Sequence, residues 1–419
     1  MKSLSGLAAI PARRSWLRQH KDRFVVDGAA REPRLLVDVS AIVQHDAQTG
    51  IQRVVRGVWA ELSRRSGNGF RVQPVFATRR QGYCNAPANF LVSGGGTTEA
   101  EPAFAGPGDK FLGLDLSAHL LPLYRAQLGA WRDKGATIHL VVYDLLPLLN
   151  PEWFNPATVS NFSRWYDVLI NDADQAICIS TQVTRDCQRQ LAGVARRSPV
   201  VARMTMGADI EESIPSTGIT PEVRRLLAGR RRRPTILMVG TVEPRKGYDV
   251  ALAAFERLWR THPDESPDLV IVGKAGWKTT ALQRRLLTHQ EAGSRLHWLS
   301  AVSDEALCQL YEACAGLLVT SHGEGFGLPL IEAAHFRRHV LARDLAVFRE
   351  QRLANVSFFQ NDDPDALAAR IMDLIALAKG GPAPLAPLPS WSDSVDDLVQ
   401  QMGLQAHCEQ MSSRLRLAS

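Results

Sequence analysis

Short apolar runs alternate with helical patterns along the first half of the chain. The runs have four to six residues, the length of a strand. Between the first two runs, apolar residues recur at steps of three and one from Ile51 to Leu62, which predicts a helix with one apolar face. The strands predicted in this half are Leu35–Val39, Lys110–Leu114, Ile138–Tyr143 and Ala176–Ile179.

The alternation is more regular in the second half, where helical segments near residues 248–260, 279–290 and 303–314 separate four further apolar runs. Apolar strands that alternate with helices are typical of a parallel sheet covered by helices on both faces. The pattern therefore predicts an α/β protein with a parallel sheet in each half. The strands predicted here are Thr235–Val239, Leu269–Val272, Leu296–Leu299 and Leu317–Thr320.

Two stretches have the composition of linkers. Residues 214–234 contain Pro215, Pro221 and the run Arg230–Arg233, whose like charges favour solvent or an anion. Residues 380–389 are rich in Gly, Pro and Ala. We therefore predict a basic N-terminal segment over 1–33, a first domain over 34–214, a second domain over 215–389, and a C-terminal helix over 390–419 that can cross back to the first domain.

Composition places the chain among globular proteins. Of its 419 residues, 45% are hydrophobic and 22% are charged, which excludes a disordered, collagen-like or disulfide-stapled protein. The six cysteines include no C-x-x-C pair, so we expect reduced thiols and no zinc site. The longest apolar runs are shorter than the roughly 20 residues that span a bilayer. These features favour a cytosolic protein.

An excess of basic residues favours partners that carry negative charge. Lys and Arg number 49 against 43 Asp and Glu, a net charge of +6, which favours membrane phospholipid, nucleotides or nucleic acid. No recognisable nucleic-acid module accompanies the arginine run, so nucleic acid is not a predicted partner. The basic segment Met1–Phe24 is consistent with a solvated tail or with an anchor to an anionic membrane surface.

The most informative stretch is a glycine-rich loop between a strand that ends near Ser321 and a helix whose first turn suits Pro329. Backbone N–H groups and the positive end of the helix dipole would face this loop and could hold a phosphate. Glu324 and Glu332, at the same place, would accept hydrogen bonds from hydroxyl groups. This combination suits a sugar joined to a nucleoside diphosphate. The alternative is an ordinary strand–turn–helix corner in which Glu332 only complements the dipole.

Two further turns follow predicted strands. Arg245 and Lys246 come after the first strand of the second half and could neutralise a diphosphate, Arg by paired hydrogen bonds and Lys as a point charge. Because ligands bind at the carboxyl ends of parallel strands, this basic turn and the glutamate loop would face the same crevice. In the first half, Gly50 opens the apolar helix and would let the main chain approach a ligand closely.

Together these motifs resemble the retaining glycosyltransferases of family 4. The resemblance covers roughly residues 35–400 and is stronger in the second half. It implies the GT-B fold, in which two Rossmann-like, doubly wound parallel-sheet domains face a central cleft. It also implies retaining transfer from a nucleoside-diphosphate sugar to an acceptor hydroxyl, with no metal or other cofactor. The matching segments are the E-x7-E pair Glu324 and Glu332, Glu243–Gly247, Thr49–Arg53, Leu299–Tyr311 and Gln360–Ala368.

The resemblance implies roles for individual donor-site residues. Glu332 would accept hydrogen bonds from the nucleotide ribose, and Glu324 would lie against the donor sugar. Lys246, with Arg245, would stabilise the diphosphate as it leaves. The other donor-binding positions implied are Gly325, Phe326, Gly327, Leu328, Gly50, Thr241 and Lys274.

Two departures from the family pattern affect these expectations. Thr241 stands where the family often has Arg, and Tyr143–Asp144 stands where many members have a His-Asp pair. We expect Asp144 to orient the acceptor hydroxyl or the donor sugar, the alternative being that it only caps a loop. The acceptor would contact Tyr143 and Arg53.

The turn Glu243–Lys246 resembles that of bacterial mannosyl- and rhamnosyltransferases of surface polysaccharide and lipopolysaccharide assembly. The resemblance favours a GDP-linked donor, a saccharide or lipid-linked acceptor, and a cytoplasmic protein at the inner face of the cell membrane. The alternative is a non-catalytic protein of the same fold that binds a nucleotide sugar or nucleic acid.

Three other classes fit the sequence poorly. A dehydrogenase would need a G-x-G-x-x-G motif, which opens neither half. A two-carboxylate glycoside hydrolase would need both glutamates at the reacting carbon, whereas Glu332 is expected on ribose. Asp172 and Asp174 imitate the D-x-D signature of metal-dependent transferases, but they precede a strand of the first half and are predicted to be structural.

Overall fold

Two sheets, one in each half of the chain, organise the structure. The structure of the protein, a computed structural model, describes residues 32–93, 100–193, 198–213, 216–229 and 233–404. Most of the predicted basic segment 1–33, parts of the predicted linker 214–234, and residues 405–419 therefore lie outside the described residues. The predicted α/β class is confirmed, with one mostly parallel sheet in each half.

The first sheet has the strand order β3–β2–β1–β4–β5–β6–β7, and every neighbouring pair is parallel except β2 with β3. Two clusters of buried apolar side chains, one on each face, pack helices against it. Its strands are β1 Arg34–Asp38, β2 Arg71–Phe76, β3 Cys84–Asn85, β4 Lys110–Gly113, β5 Thr137–Val142, β6 Gln175–Cys178 and β7 Val200–Arg203. Its α-helices are α1 Ser40–Gln44, α2 Gly50–Arg65, α3 Phe90–Ser93, α4 Arg125–Asp133, α5 Leu146–Leu149, α6 Pro156–Asp172 and α7 Thr181–Leu191.

The second sheet is parallel throughout, with the order β10–β9–β8–β11–β12–β13, and it too has an apolar cluster on each face. Its strands are β8 Thr235–Val239, β9 Asp268–Val272, β10 Leu296–Leu299, β11 Gly316–Val319, β12 His339–Arg343 and β13 Val356–Phe359. The helices of this half are α8 Pro221–Gly229, α9 Tyr248–Thr261, α10 Thr280–Thr288, α11 Asp304–Ala313, α12 Leu328–His335, α13 Ala346–Arg349 and α14 Pro364–Lys379, and α15 Trp391–Gln401 follows them.

All eight predicted strands are present, with ends within one residue of the prediction. The three helices predicted in the second half correspond to α9, α10 and α11. The strands that were not predicted are short or carry residues that weaken the signal. Pro74 lies within β2, and proline is generally excluded from strand interiors. The edge strand β7 has four residues and is only partly buried, so it lacks the strong apolar signal of a central strand.

The C-terminal helix α15 completes the core of the first domain. Trp391 is 1% exposed and lies against Gly57 of α2 and against Gly207. A Cβ atom at either glycine would lie within 2.6 Å of the indole. The indole N–H donates to the Asp209 carbonyl at 2.8 Å. The chain therefore crosses back, and residues up to 404 pack with the first domain rather than the second.

Two buried carboxylates hold the chain that connects β1 to α2. Asp38, at the end of β1, accepts hydrogen bonds from the hydroxyls of Tyr83 at 2.9 Å and Ser117 at 2.8 Å. Asp115, just after β4, accepts from the backbone N–H of Ile42 in α1 at 2.7 Å. Burial, and then the charge of Asp38, raise the pKa of Asp115 to about 7 from its ordinary 3.8. This network positions the segment that leads to Gly50.

We expect the Asp115→Asn variant to lose part of the pH dependence of stability. Native Asp115 keeps its proton up to about pH 7, whereas the unfolded chain releases it near pH 4, so this group lowers the free energy of unfolding as the pH rises between these values. The effect is at most about 1.4 kcal/mol per unit of pKa difference. Urea unfolding at pH 4.5 to 7.5 measures it.

The control is Asp133→Asn, which removes an exposed carboxylate of α4. As the pH rises, the difference in free energy of unfolding between the wild type and Asp115→Asn should shrink or reverse sign. The same difference for Asp133→Asn should not change with pH. A difference that is the same at every pH for Asp115→Asn would contradict the role assigned to its buried carboxyl group.

Candidate active site between the two domains

A cavity of about 360 Å³ lies between the two domains, at the carboxyl ends of strands from both sheets. Parallel α/β sheets bind ligands at this edge. All but one of the predicted site residues line it; the exception is Glu332. The lining residues predicted from the sequence are Gly50, Arg53, Tyr143, Asp144, Thr241, Arg245, Lys246, Lys274, Glu324, Gly325, Phe326, Gly327 and Leu328.

Glu324 anchors a cluster of charges at one end of the cavity. Its carboxylate accepts from the Arg245 guanidinium at 2.7 Å, from the Lys246 ammonium at 2.5 Å and from the Ser321 hydroxyl at 2.7 Å. Arg245 also pairs with Glu243 at 2.8 Å, so its guanidinium lies between two carboxylates. The two cations predicted to hold a diphosphate are therefore paired with a glutamate of the same domain.

The local backbone explains how the basic turn reaches Glu324. Pro244–Lys246 form a single 3-10 turn that ends at Gly247, which has a φ of 65°. A Cβ atom there would also lie 2.6 Å from the Thr320 carbonyl oxygen, so only glycine fits. The turn thus packs directly against the end of β11, where the glutamate loop begins.

The carboxyl groups of the cluster have different pKa values. Burial opposes ionisation of Glu324, but Lys246 and then Arg245 outweigh it and lower its pKa to about 2. For Asp144, burial dominates and raises the pKa, although Arg245 partly offsets it. Burial raises the pKa of Glu243 in the same way. Glu324 is therefore an anion at any physiological pH.

The glycines of the glutamate loop allow the first domain to touch it. Gly327 has a φ of 92° and caps the start of α12, with Pro329 in the first helical turn, as predicted. A Cβ atom at Gly325 would lie 1.9 Å from the carbonyl oxygen of Tyr143, and one at Gly323 would lie 2.7 Å from the ring of Trp153. The loop is therefore an interdomain contact as well as a candidate anion cradle.

The pair Tyr143–Asp144 follows β5 and is only partly available to a ligand. The Tyr143 ring is buried, and its hydroxyl donates to the Leu114 carbonyl at 2.7 Å. The hydroxyl therefore points into the first domain, while the residue still lines the cavity, and its contact with an acceptor stays a prediction. Asp144 lines the cavity, and it also accepts from the backbone N–H of Leu146 at 3.0 Å. The loop cap considered for Asp144 is thus present, together with access to the cleft.

Glu332 is enclosed rather than exposed to the cavity. It is 1% exposed and accepts from the Tyr311 hydroxyl at 2.7 Å and from the guanidinium of Arg53. Arg53 also donates to Asp304 at 3.0 Å. The predicted acceptor residue Arg53 therefore lies on the glutamate predicted to bind ribose. Asp304 lies in the matching segment Leu299–Tyr311 but was not predicted as a site residue, because it looks like an ordinary acidic residue in the first turn of α11.

Other interdomain contacts, including one of Glu350 and one of Trp277, were also not predicted. Glu350, next to α13, accepts from the backbone N–H groups of Thr181 and Gln182 at 2.8 and 2.9 Å, and so caps α7 of the first domain. The indole N–H of Trp277 donates to the Trp153 carbonyl at 2.8 Å. These contacts lie on different elements from the charge clusters, so the domains meet at several separate points.

The remaining predicted residues lie at the edge of the cavity or form pairs within the first domain. Lys274 is exposed at the rim of the cavity, and Thr241 is partly buried there. Asp172 pairs with Arg125 at 2.5 Å, and Asp174 accepts from the backbone N–H of Ile138 at 2.8 Å. Across the described residues, no group of three or more His, Cys, Asp and Glu side chains could hold a metal ion.

Among the helices that the structure describes, none combines the length and apolar character that a membrane span requires.

Comparison with known proteins shows that the chain is similar to glycosyltransferases. A model described as "Glycosyl transferases group 1" matches residues 221–380. Over 366 residues, 85% of this chain, the sequence is 38% identical to the serotype-specific mannosyltransferase WbdA of Escherichia coli. The alignment covers 43% of that relative, so the chain spans less than half the length of the curated relatives it matches over most of its own length.

Solved structures share the fold. HepE of Anabaena, in complex with UDP and glucose, aligns with a TM-score of 0.60 at 15% identity over 89% of this chain and all of that one. A sucrose-phosphate synthase from Thermosynechococcus elongatus aligns with a TM-score of 0.57 at 17% identity over 93% of this chain and all of that one. The predicted GT-B fold and the resemblance to family 4 glycosyltransferases are confirmed.

The Gly325→Ala variant should separate the domains. Its Cβ atom would lie 1.9 Å from the Tyr143 carbonyl oxygen, so the loop and the first domain must move apart. We expect a larger radius of gyration in small-angle X-ray scattering and a loss of about 1–3 kcal/mol in the free energy of unfolding, the usual cost of overpacking.

A matched control is Gly129→Ala in α4, where a Cβ atom meets nothing within 4 Å. This variant should keep the wild-type radius of gyration and gain up to about 1 kcal/mol, since alanine favours helix. If Gly325→Ala scatters and unfolds like the wild type, the tight contact between this loop and Tyr143 is not present in solution.

Proposed function

Because residues 221–380 belong to the glycosyl transferases group 1 family, we propose that the protein is a hexosyltransferase. It moves a mannose- or rhamnose-type sugar from a nucleoside-diphosphate donor to a saccharide or lipid-linked saccharide acceptor in surface polysaccharide synthesis. The main support for this proposal is that motif residues from both domains line the same interdomain cavity.

The similarity to WbdA supports mannose as the transferred sugar, since that relative is named a mannosyltransferase and aligns with 85% of this chain. We propose GDP-mannose as the donor, in agreement with the resemblance of the turn Glu243–Lys246 to mannosyl- and rhamnosyltransferases. HepE was solved with UDP, but at 15% identity it supports the fold alone. We therefore expect guanine as the base of the donor, and an assay with a panel of nucleotide sugars tests this.

The charges of the site suit a departing diphosphate. Lys246 and Arg245 line the cavity beside the N-terminus of α12, where backbone N–H groups and the helix dipole also favour an anion. A diphosphate that replaces the Glu324 carboxylate on these cations would be stabilised as its negative charge grows in the transition state. Glu324, released from them, would lie against the donor sugar.

No side chain is assigned as nucleophile. With a pKa of about 2 and two cations on its carboxylate, Glu324 is a weak base and a weak nucleophile. We propose that the departing phosphate helps to deprotonate the acceptor on the same face of the sugar, which gives retention. Asp144, which lines the cavity beside Gly325 of the glutamate loop, would orient the acceptor hydroxyl or the donor sugar. This arrangement requires no metal.

The Lys246→Ala variant should lower kcat for transfer from GDP-mannose by about 100- to 1,000-fold, because it removes a charge that stabilises the leaving group. Release of GDP in the presence of a mannose oligosaccharide measures the reaction. The control is Lys379→Ala, an exposed lysine in the last turn of α14, which should leave the rate unchanged.

The same assay with a panel of nucleotide sugars tests the proposal as a whole. Turnover of UDP-glucose but not GDP-mannose would overturn the assigned donor. Binding of a nucleotide sugar, detected as a rise in melting temperature, without any turnover would favour the non-catalytic alternative. Equal rates for Lys246→Ala and the wild type would overturn the assigned role of that lysine.

We also propose that the protein acts in the cytoplasm at an anionic membrane surface, because its net charge is +6 and its proposed acceptor is lipid-linked. The full chain should sediment severalfold more with vesicles containing phosphatidylglycerol than with pure phosphatidylcholine vesicles. The difference should vanish near 1 M salt, where the Debye length is about 3 Å. Equal sedimentation with both vesicles at low salt would contradict the proposal.

A further inference from the structure

The environment of Glu332 differs from that of a free ribose-binding carboxylate. Both of its oxygens accept a hydrogen bond, one from Tyr311 of the second domain and the other from Arg53 of the first. Arg53 and Asp304 line the cavity, whereas Glu332 does not. Arg53 therefore connects the lining of the cavity to the enclosed glutamate.

We propose that Arg53 is a donor-site residue that occupies the ribose subsite of the empty protein and is exchanged for the ribose hydroxyls when the nucleotide binds. A guanidinium and a pair of hydroxyls both offer hydrogen-bond donors to a carboxylate. The exchange keeps Glu332 satisfied in both states. This inference rests on the proposed function, since it takes the ligand to be a nucleoside diphosphate.

Burial makes a partner for Glu332 obligatory. At 1% exposure, an ionised carboxylate left with the Tyr311 hydroxyl alone would be strongly destabilised. Arg53 supplies the compensating charge in the empty protein, with its own side chain 14% exposed. Burial alone would lower the pKa of Arg53, but Glu332 and Asp304 outweigh it and raise the pKa.

The guanidinium of Arg53 uses its two terminal nitrogens, but not its Nε atom, in hydrogen bonds to carboxylates. Its Nε atom is buried without a hydrogen-bond partner, so the guanidinium holds its carboxylates only through the terminal nitrogens. When Arg53 leaves Glu332, Asp304 remains as a second carboxylate partner at 3.0 Å. A partner that can stay on Asp304 while it releases Glu332 suits an exchange with an incoming ligand.

Arg53 reaches Glu332 from the helix whose first residue is Gly50. That glycine lines the cavity, and a Cβ atom there would lie 3.5 Å from the Leu328 side chain, at the start of α12. The start of α2 thus lies directly against the element that carries Glu332. A movement of the first domain of a few ångströms would move Arg53 off the carboxylate.

The ion pair between Arg53 and Glu332 lowers the affinity for the nucleotide. A nucleoside diphosphate must displace Arg53 before its hydroxyls reach Glu332, so part of the binding free energy is spent on this ion pair. In the Arg53→Ala variant, Glu332 is uncompensated in the empty protein, and the ribose hydroxyls would satisfy it. Nucleotide binding should therefore become tighter, and the gain should depend on the ribose hydroxyls.

Isothermal titration with GDP and with 2′,3′-dideoxy-GDP, which lacks both hydroxyls, tests this. We expect Arg53→Ala to lower the Kd for GDP by about tenfold or more, since it removes the competing partner of a buried charge. The Kd for dideoxy-GDP should change by less than about twofold. Arg53→Lys, which keeps the charge but loses the planar fork, should lie between the wild type and alanine.

The matched control is Arg56→Ala. Arg56 lies one turn further along α2, is similarly buried and also faces Asp304, at 3.5 Å, but it makes no contact with Glu332. It should leave the Kd for GDP within about twofold of the wild-type value. A thermal melt of each empty variant checks folding, and if Arg53→Ala does not fold, the Arg53→Lys arm decides the direction of the effect.

The outcomes separate the inference from the proposed function. A wild type that binds GDP, together with an Arg53→Ala variant that binds it equally or more weakly, overturns the exchange and leaves the transferase proposal intact. An equal gain for dideoxy-GDP also overturns the exchange, because ribose would then play no part. A wild type that binds neither GDP nor any other nucleoside diphosphate overturns the proposed function, and with it this inference.

Discussion

The need to compensate buried carboxylates at the domain boundary governs this site. Away from water, an ionised carboxylate is stable only beside a cation or several hydrogen-bond donors. Glu324 obtains its partners, Lys246 and Arg245, from its own domain. Among the described residues, the cation beside Glu332 comes from the first domain, in the form of Arg53. The charge state of the site and the arrangement of the two domains are therefore parts of one equilibrium.

Features that depend on neighbouring residues could be predicted from the sequence. Apolar runs located eight strands to within one residue, because strands buried on both faces need continuous hydrophobic side chains. The spacing of Glu324 and Glu332 with Pro329 between them located a loop followed by the start of a helix, which is α12. Gly327 adopts the left-handed backbone that such a turn requires.

Features that join distant segments could not be predicted. Arg53 and Glu332 are 279 positions apart, and an arginine in the first turn of an amphipathic helix gives no indication of its partner. Tyr143 directly follows β5, and its hydroxyl points into the first domain, although its position in the chain resembles that of a ligand-binding residue. Sequence motifs thus identified which residues surround the cavity, but not which of them face it.

The charges of the empty site also bear on selectivity. A free phosphate could replace Glu324 on Lys246 and Arg245, but it offers few hydrogen-bond donors to Glu332 and could not displace Arg53. A nucleoside alone offers hydroxyls but no anion for the two cations. Only a ligand that carries both groups, at the separation of Glu324 from Glu332, satisfies both clusters at once. Internal pairing within the cleft would therefore discriminate against fragments of the donor, because each fragment can satisfy only one of the two clusters.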